Sequence, residues 1–356
     1  TYTSRNLAAP PASPLAANQA PAVVSAADGT RDVYVLGQDG AVYAAHSAPT
    51  VAGITWHALG APPAVSLAGG VAAALLPTAL MVGAISTDGN LWWRAGPTGN
   101  LSGWASVGHP AGTLLVGPPV LLGEPGTGLP LAVAMGRDGK LYENSWSSST
   151  SASASPDLGW GQWTALSLPT GASGFAPPLF AVSELATPHS RIGQWADVSV
   201  DLLARTAAGQ AWLLRRDASA IWTFRTLGTE KPVERLLGAI VVPSAATGAG
   251  ASLLQVYVAD DKDILLGTLA VGQSNGSASP APWTTLGPLW QDPSTPTPGS
   301  VIALGPHLSM LALASDDKVA LVGTEEARSL VADQTAATLA QPIPGATNAI
   351  FAPAVP

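Results

Sequence analysis

The sequence contains no cysteine, and this absence removes several kinds of chemistry at once. Without a thiol there is no disulfide framework, no thiolate nucleophile and no cysteine-based zinc site. Charged residues are also scarce, at 11% of 356 residues, and the fifteen lysines and arginines are scattered along the chain. With a formal net charge of -8, the chain lacks the concentrated basic face that binds a phosphate backbone. We therefore expect no nucleic-acid partner.

Long apolar runs are missing too. The alanine- and leucine-rich stretch 69–76 is far shorter than the roughly 18 residues that a membrane-spanning helix needs, so we expect no membrane insertion. The five histidines show no metal-binding spacing. The pairs Asp260-Asp261 and Asp316-Asp317 lack the alternating oxygen ligands of a calcium loop. The sequence therefore predicts neither a metal nor a cofactor.

Glycine (38) and proline (32) are abundant, which is typical of many short strands joined by tight turns. One pattern recurs six times: an apolar strand, a two-residue turn, a second strand with an aromatic residue, and a short outer strand. In the best copies the turn is Asp-Gly, which supplies the positive φ of a two-residue hairpin connection. The turns begin at Asp39, Asp88, Asp138, Ala208, Asp261 and Asp317.

These turns are separated by 49, 50, 70, 53 and 56 residues, a period typical of propeller blades. The sequence predicts an all-β protein, a β-propeller of six four-stranded blades within one domain, 1–356. The predicted blades are 20–60, 61–110, 111–171, 172–230, 231–290 and 291–345. The insertions 147–156 and 186–194 are predicted to be surface loops.

The two ends of the chain bear on how the ring closes. Residues 1–11 parallel the outer strand and the prolines around Trp56, so we expect them to close the ring as an N-terminal outer strand. Residues 351–355 parallel the start of the inner strand at Phe175, which leaves a partial seventh blade open.

Two blades carry a family resemblance. The segments 88–92 with 101–108, and 138–142 with 159–163, resemble the blade signature of bacterial and fungal β-propeller lectins. The similarity is to the Photorhabdus-type fucose-binding lectins and the fucose-specific lectins of fungi. It implies sugar sites between neighbouring blades, built from tryptophan or tyrosine faces, an arginine, and a carboxylate or amide. In the last two blades, Leu265 and Leu321 replace the aromatic residue after the turn, which puts sites there in doubt.

Twelve tryptophans against four phenylalanines also favour sugar binding, because an aromatic ring can cover the apolar face of a pyranose. Trp56, Trp104, Trp163 and Trp283 share one repeat position and are predicted to pack between blades. Other residues break this register, and the two-residue strand period predicts that they face outward. The candidate ligand-binding residues are Trp93, Arg94, Glu143, Trp146, Trp160, Trp195 and Arg215. Trp93 with Arg94, and Trp146 with Glu143, are the pairs we expect to contact a ligand.

These observations predict a non-catalytic, lectin-like module that binds terminal monosaccharides, fucose or a methylated sugar, at shallow sites between blades. The expected partners are glycans or glycoconjugates on cell surfaces, the expected location is secreted or cell-surface, and homo-oligomerisation is left open. One alternative is a structural or adhesion propeller within a larger assembly. Another is a glycan-cleaving enzyme, although no GxSxG elbow or arginine triad appears and Ser86–Gly89 departs from the sialidase Asp-box.

Overall fold

The computed structural model shows an all-β chain, and its described part contains strands and turns without a helix. No helix in that part has the length and apolar character to cross a membrane. The described residues are 2–6, 12–14, 16, 22–25, 31–47, 55–76, 79–97, 99–146, 159–167, 174–181, 183–184, 199–229, 232–243, 252–260, 263–270, 283–288, 301–305, 308–315, 318–323 and 349–353.

The first three blades are four-stranded antiparallel sheets whose strands follow chain order. The chain begins with β1 (Tyr2–Asn6), and blade 1 then consists of β2 (Ala22–Ser25), β3 (Arg31–Leu36), β4 (Val42–Ser47) and β5 (Thr55–Gly60). Blade 2 consists of β6 (Leu67–Leu75), β7 (Leu80–Ser86), β8 (Leu91–Gly96) and β9 (Ala105–Gly108). Blade 3 consists of β10 (Leu115–Gly123), β11 (Pro130–Gly136), β12 (Leu141–Ser145) and β13 (Thr164–Ala165).

The later blades vary this plan. Blade 4 consists of β14 (Phe175–Ala181), β16 (Val200–Thr206), β17 (Ala211–Arg216) and β18 (Trp222–Thr226). Blade 5 consists of β19 (Arg235–Pro243), β20 (Ser252–Ala259), β21 (Asp263–Ala270) and β22 (Thr284–Pro288), and β15 (Ser183–Glu184) pairs with β19 in parallel. Blade 6 shows three strands among the described residues, β23 (Val301–Gly305), β24 (Leu308–Ser315) and β25 (Lys318–Gly323).

The innermost strands of successive blades contact one another, from β2 through β6, β10, β14 and β19 to β23. The protein is therefore a six-bladed β-propeller, as the repeat predicts. The two ends of the chain form a separate pair, in which β1 (Tyr2–Asn6) runs antiparallel to β26 (Ala349–Pro353). Closure of the ring by β1 stays a prediction. The two predicted insertion loops lie outside the described residues.

The Asp-Gly turns have the predicted backbone. Gly40 and Gly139 both have φ of 75°, in the left-handed region that glycine adopts without strain. In blade 1 the Asp39 carboxylate accepts the Ala41 N–H at 3.1 Å and the Tyr43 hydroxyl at 2.6 Å. Partial burial by itself would raise the pKa of Asp39, but these hydrogen bonds outweigh it and lower that pKa. The turn is thus locked by its own side chains.

The hydrophobic core lies between blades. Because successive strand residues point to opposite faces, each blade packs one set of side chains on each neighbour. On β7, Leu80 and Val82 pack toward blade 1, whereas Met81 and Ile85 pack toward blade 3. We call these interfaces seams and name each by its two blades, so the four described in most detail are the 1–2, 2–3, 3–4 and 4–5 seams.

The predicted packing of the repeat tryptophans between blades is confirmed for three of them. Each donates its indole N–H to a carbonyl in the outer part of the preceding blade, at 3.3 Å in every case. The pairs are Trp104 with Leu59, Trp163 with Val107, and Trp283 with Leu227. Blade 4 has Phe224 at this repeat position, and phenylalanine cannot make this bond. The 3–4 seam therefore differs from the other three.

Candidate ligand-binding site

The third strand of each blade, β8, β12 or β17, carries most of the candidate residues, and its alternation decides which seam each one faces. Trp93 packs in the 2–3 seam, while the next residue, Arg94, reaches back to blade 1. Glu143 contacts blade 4, while Trp146 packs toward blade 2. The structure thus separates both of the expected pairs, because their members point to opposite faces of the sheet.

In the 1–2 seam, Arg94 is held by backbone. Its Nη1 donates to the Leu59 carbonyl at 2.7 Å and its Nη2 to the Leu101 carbonyl at 3.1 Å. The guanidinium lies 5.5 Å from the ring centre of Trp104, a cation–π distance. Burial lowers the pKa of Arg94. These contacts join blades 1 and 2, and they engage both terminal nitrogens of Arg94.

In the 2–3 seam, three tryptophans pack against one another. Trp93, Trp146 and Trp160 meet edge to face with ring centres 5.2 to 5.8 Å apart. Trp93 is only 6% exposed, so the expectation that it faces outward is wrong. The cause is that both faces of β8 are covered by neighbouring blades, which leaves no solvent face in this part of the strand. Asn144, 1% exposed, donates to the Gly161 carbonyl at 3.1 Å in the same seam.

The 3–4 seam holds a charged cluster. Arg216 from the end of β17 is 3% exposed and lies between two carboxylates of blade 3. Its Nη2 is 2.9 Å from Glu124 Oε1, and its Nε is 3.2 Å from Glu143 Oε2. The indole N–H of Trp222 donates to that same Glu143 oxygen at 2.8 Å. Arg216 Nη1 is buried and has no hydrogen-bond partner among the described residues.

Glu124 is fixed by the turn between β10 and β11. Its N–H donates to the Leu129 carbonyl at 2.7 Å, and its own carbonyl accepts the Gly128 N–H at 2.8 Å. Thr127 Oγ1 donates to Glu124 Oε2 at 3.1 Å, which leaves Oε1 directed at Arg216. The hydrogen bonds of this turn therefore hold Glu124 in the position from which it contacts Arg216.

Arg215 precedes Arg216 on β17, and its side chain lies on the opposite face of the sheet. Its Nε and Nη2 donate to both oxygens of Asp201 on β16, at 2.7 and 2.6 Å. Asp201 is opposite Arg215 in the strand register, and this fork-like geometry is the strongest that arginine makes with a carboxylate. Trp195 lies outside the described residues. Ligand contact by any of the seven candidates stays a prediction.

The sequence pattern did not point to Glu124 or Trp222, and of the adjacent pair Arg215 and Arg216 only Arg215 is among the predicted site residues. Trp222 carried a usable signal, because it lies two residues before Phe224, on the same strand face, in a copy where phenylalanine replaces the repeat tryptophan. No sequence signal marks Glu124 as a seam residue, because a turn residue contacts the next blade only when the two blades are arranged side by side in the fold. Within the described residues, no group of three or more histidine or acidic side chains could hold a metal ion.

No protein-family model and no curated protein sequence matches the chain. Solved structures do. Aleuria aurantia lectin, in complex with Fucα1-6GlcNAc, has a TM-score of 0.54 and 13% identity, with 97% of each chain covered. A lectin from Burkholderia pseudomallei has a TM-score of 0.55 and 15% identity, covering 87% of this chain and 82% of its own. NanB, solved with Optactamide, has a TM-score of 0.56 and 9% identity, covering 86% of this chain and 66% of its own.

At these identities the likeness concerns the fold. The chain has the β-propeller architecture of fungal and bacterial lectins, and the expected resemblance to propeller lectins is confirmed at that level.

Proposed function

We propose that this protein is a non-catalytic lectin that binds a neutral terminal sugar, with fucose the first candidate, at the 3–4 seam. The observation that carries the proposal is the convergence of Arg216, Glu143 and Trp222 at the 3–4 seam, where phenylalanine replaces the repeat tryptophan that the 1–2, 2–3 and 4–5 seams have. The lectin fold supports a carbohydrate ligand, and the fucose-bearing complex of Aleuria aurantia lectin suggests the sugar.

The cluster offers the chemistry that sugar recognition needs. Arg216 Nη1 is a donor without a partner among the described residues, and Glu143 retains acceptor capacity after bonding Trp222, because a carboxylate can accept about four hydrogen bonds. A sugar with adjacent hydroxyls can engage one donor and one acceptor together. Trp222 is partly buried, so its ring adds an apolar surface beside these polar groups.

The same geometry favours binding over cleavage. A glycosidase places two carboxylates on either side of the bond that breaks, with a gap for the sugar between them. Here Glu124 and Glu143 converge on a single guanidinium that fills the space between them. The carboxylates hold Arg216 in place and do not flank an open gap.

A glycan array with the purified chain, followed by titration calorimetry with the best free sugar, tests the proposal. We expect selective binding that falls about tenfold or more in Glu143→Gln, because the acceptor loses its charge and hydrogen bonds to a charged group are the stronger kind. Glu234→Gln is the matched control, since Glu234 is an exposed carboxylate outside the seam. A blank array would refute the function, and binding unchanged by Glu143→Gln would refute the site. Steady release of product from chromogenic glycosides would refute the non-catalytic part.

A further inference from the structure

We infer that Glu124 is a specificity-determining residue that makes the 3–4 seam reject acidic sugars, an inference that rests on the proposed function of this seam. Glu124 stands beside Arg216 in the position that a ligand carboxylate would take. It has no role in the sequence pattern of the blades.

Arginine is the side chain best suited to a carboxylate, because its planar guanidinium matches the two oxygens and keeps its charge. An arginine with a free edge in a sugar site would therefore favour uronic or sialic acids. In this seam Glu124 Oε1 already lies 2.9 Å from Nη2, and Glu143 Oε2 lies 3.2 Å from Nε. Two carboxylates against one guanidinium give the cluster a net negative charge.

An acidic sugar would have to displace Glu124 or lie next to two like charges. Displacement is disfavoured because Thr127 and the backbone of the turn brace Glu124. Charge repulsion in a seam where Arg216 is 3% exposed is weakly screened by salt. A neutral hydroxyl carries no charge, so it meets no charge repulsion from Glu124 and Glu143 and does not compete with Glu124 for the guanidinium.

Glu124→Gln tests the inference directly. Glutamine keeps the size of the side chain and an acceptor for Thr127, but it removes the charge. The probes are pairs of methyl glycosides and the matching methyl uronides, which differ only in a CH₂OH or a carboxylate at one carbon. The measurement is the ratio of uronide affinity to glycoside affinity, by titration calorimetry at two salt concentrations.

We expect this ratio to rise about tenfold or more in Glu124→Gln, to change little in the Glu234→Gln control, and to return toward the original value when Arg216→Met is added. A ratio that stays the same in Glu124→Gln, or an unmodified protein that already binds the uronide as well as the glycoside, would overturn the inference. Glu124→Ala provides a second variant if Glu124→Gln folds poorly, which thermal unfolding will show.

The outcomes also separate this inference from the proposed function. If the unmodified protein binds no neutral sugar but Glu124→Gln binds a uronide, the proposed function fails and the role of Glu124 stands. If neutral sugars bind and Glu124→Gln gains no uronide affinity, the function stands and the role of Glu124 fails. If neither protein binds any probe, both are refuted.

Discussion

The charge balance of the 3–4 seam predicts a strong coupling between two glutamates in the free energy of unfolding. Arg216 is 3% exposed and has Glu124 and Glu143 as neighbours of opposite charge. We consider the two single changes, Glu124→Gln and Glu143→Gln, and the double change. Each single change leaves Arg216 with one carboxylate, so we expect each to lower the free energy of unfolding by only about 1 kcal/mol.

The double change leaves a buried guanidinium without a counter-charge. Removing the partner of a buried charge typically costs about 3–5 kcal/mol, because the remaining charge stays out of water without compensation. The double variant should therefore lose at least about 1 kcal/mol more than the two single variants together. Adding Arg216→Met should recover most of the loss, because it removes the unpaired charge and leaves an apolar side chain in its place.

Urea unfolding followed by tryptophan fluorescence and by circular dichroism measures these values, and coincident transitions justify a two-state treatment. Glu234→Gln, exposed and outside the seam, should change the free energy by no more than about 0.5 kcal/mol. A double variant whose loss equals the sum of the single losses, and stays below about 2 kcal/mol, would refute the argument. That result would mean that water reaches Arg216 freely.

Three further predictions concern the blades themselves. Trp163→Phe should lower the free energy of unfolding by about 1 kcal/mol in urea titrations, because the Val107 carbonyl loses its 3.3 Å donor; an unchanged value would contradict a role for this bond. The lowered pKa of Asp39 contributes stability that is present above about pH 4 and lost as the pH falls through the folded-state pKa. In Asp39→Asn, the free energy of unfolding should therefore fall less steeply with decreasing pH than in the unmodified protein. An equally steep fall in both proteins would contradict this. Gly159→Ala should lower the thermal midpoint, because φ is 69° and a Cβ would lie 2.6 Å from Trp146; a midpoint equal to that of the unmodified protein would count against the packing.

Much of the fold can be predicted from the sequence because its signals are local. A two-residue turn with a glycine at positive φ, such as Gly40 or Gly139, is specified by adjacent residues and recurs at the blade period. Four strands per blade hold in blades 1 to 4. The parallel strand β15 beside blade 5 was not predicted, because pairing of Ser183 and Glu184 with β19 is set by the position of a neighbouring blade and by no local turn.

The candidate site was harder to predict, since each of its parts comes from a different place in the chain. Trp222 bonds Glu143, which lies 79 residues earlier in the chain, and Arg216 of blade 4 pairs with Glu124 of blade 3. Arg215 and Arg216 are adjacent and chemically identical, so their residue types do not show which of them reaches the neighbouring blade. Only the strand face distinguishes them: Arg215 bonds Asp201 within its own blade, whereas Arg216 crosses to blade 3.

The alternation of strands between two seams gives a rule for where binding residues can meet in a propeller. Neighbours on one strand, such as Trp93 and Arg94, cannot share a ligand, because one packs toward the following blade and the other toward the preceding blade. Residues that share a seam lie on facing strands of two blades, as Glu143 and Arg216 do. A site on this scaffold is therefore specified by one blade's forward-facing residues and the next blade's backward-facing residues, and a change in one repeat alters only half of each adjacent site. The four seams therefore differ although one repeat builds them all. The 1–2 seam holds a backbone-bound arginine and the 2–3 seam a tryptophan cluster. The 3–4 seam holds an arginine between two glutamates, and the 4–5 seam a repeat tryptophan bonded to the preceding blade.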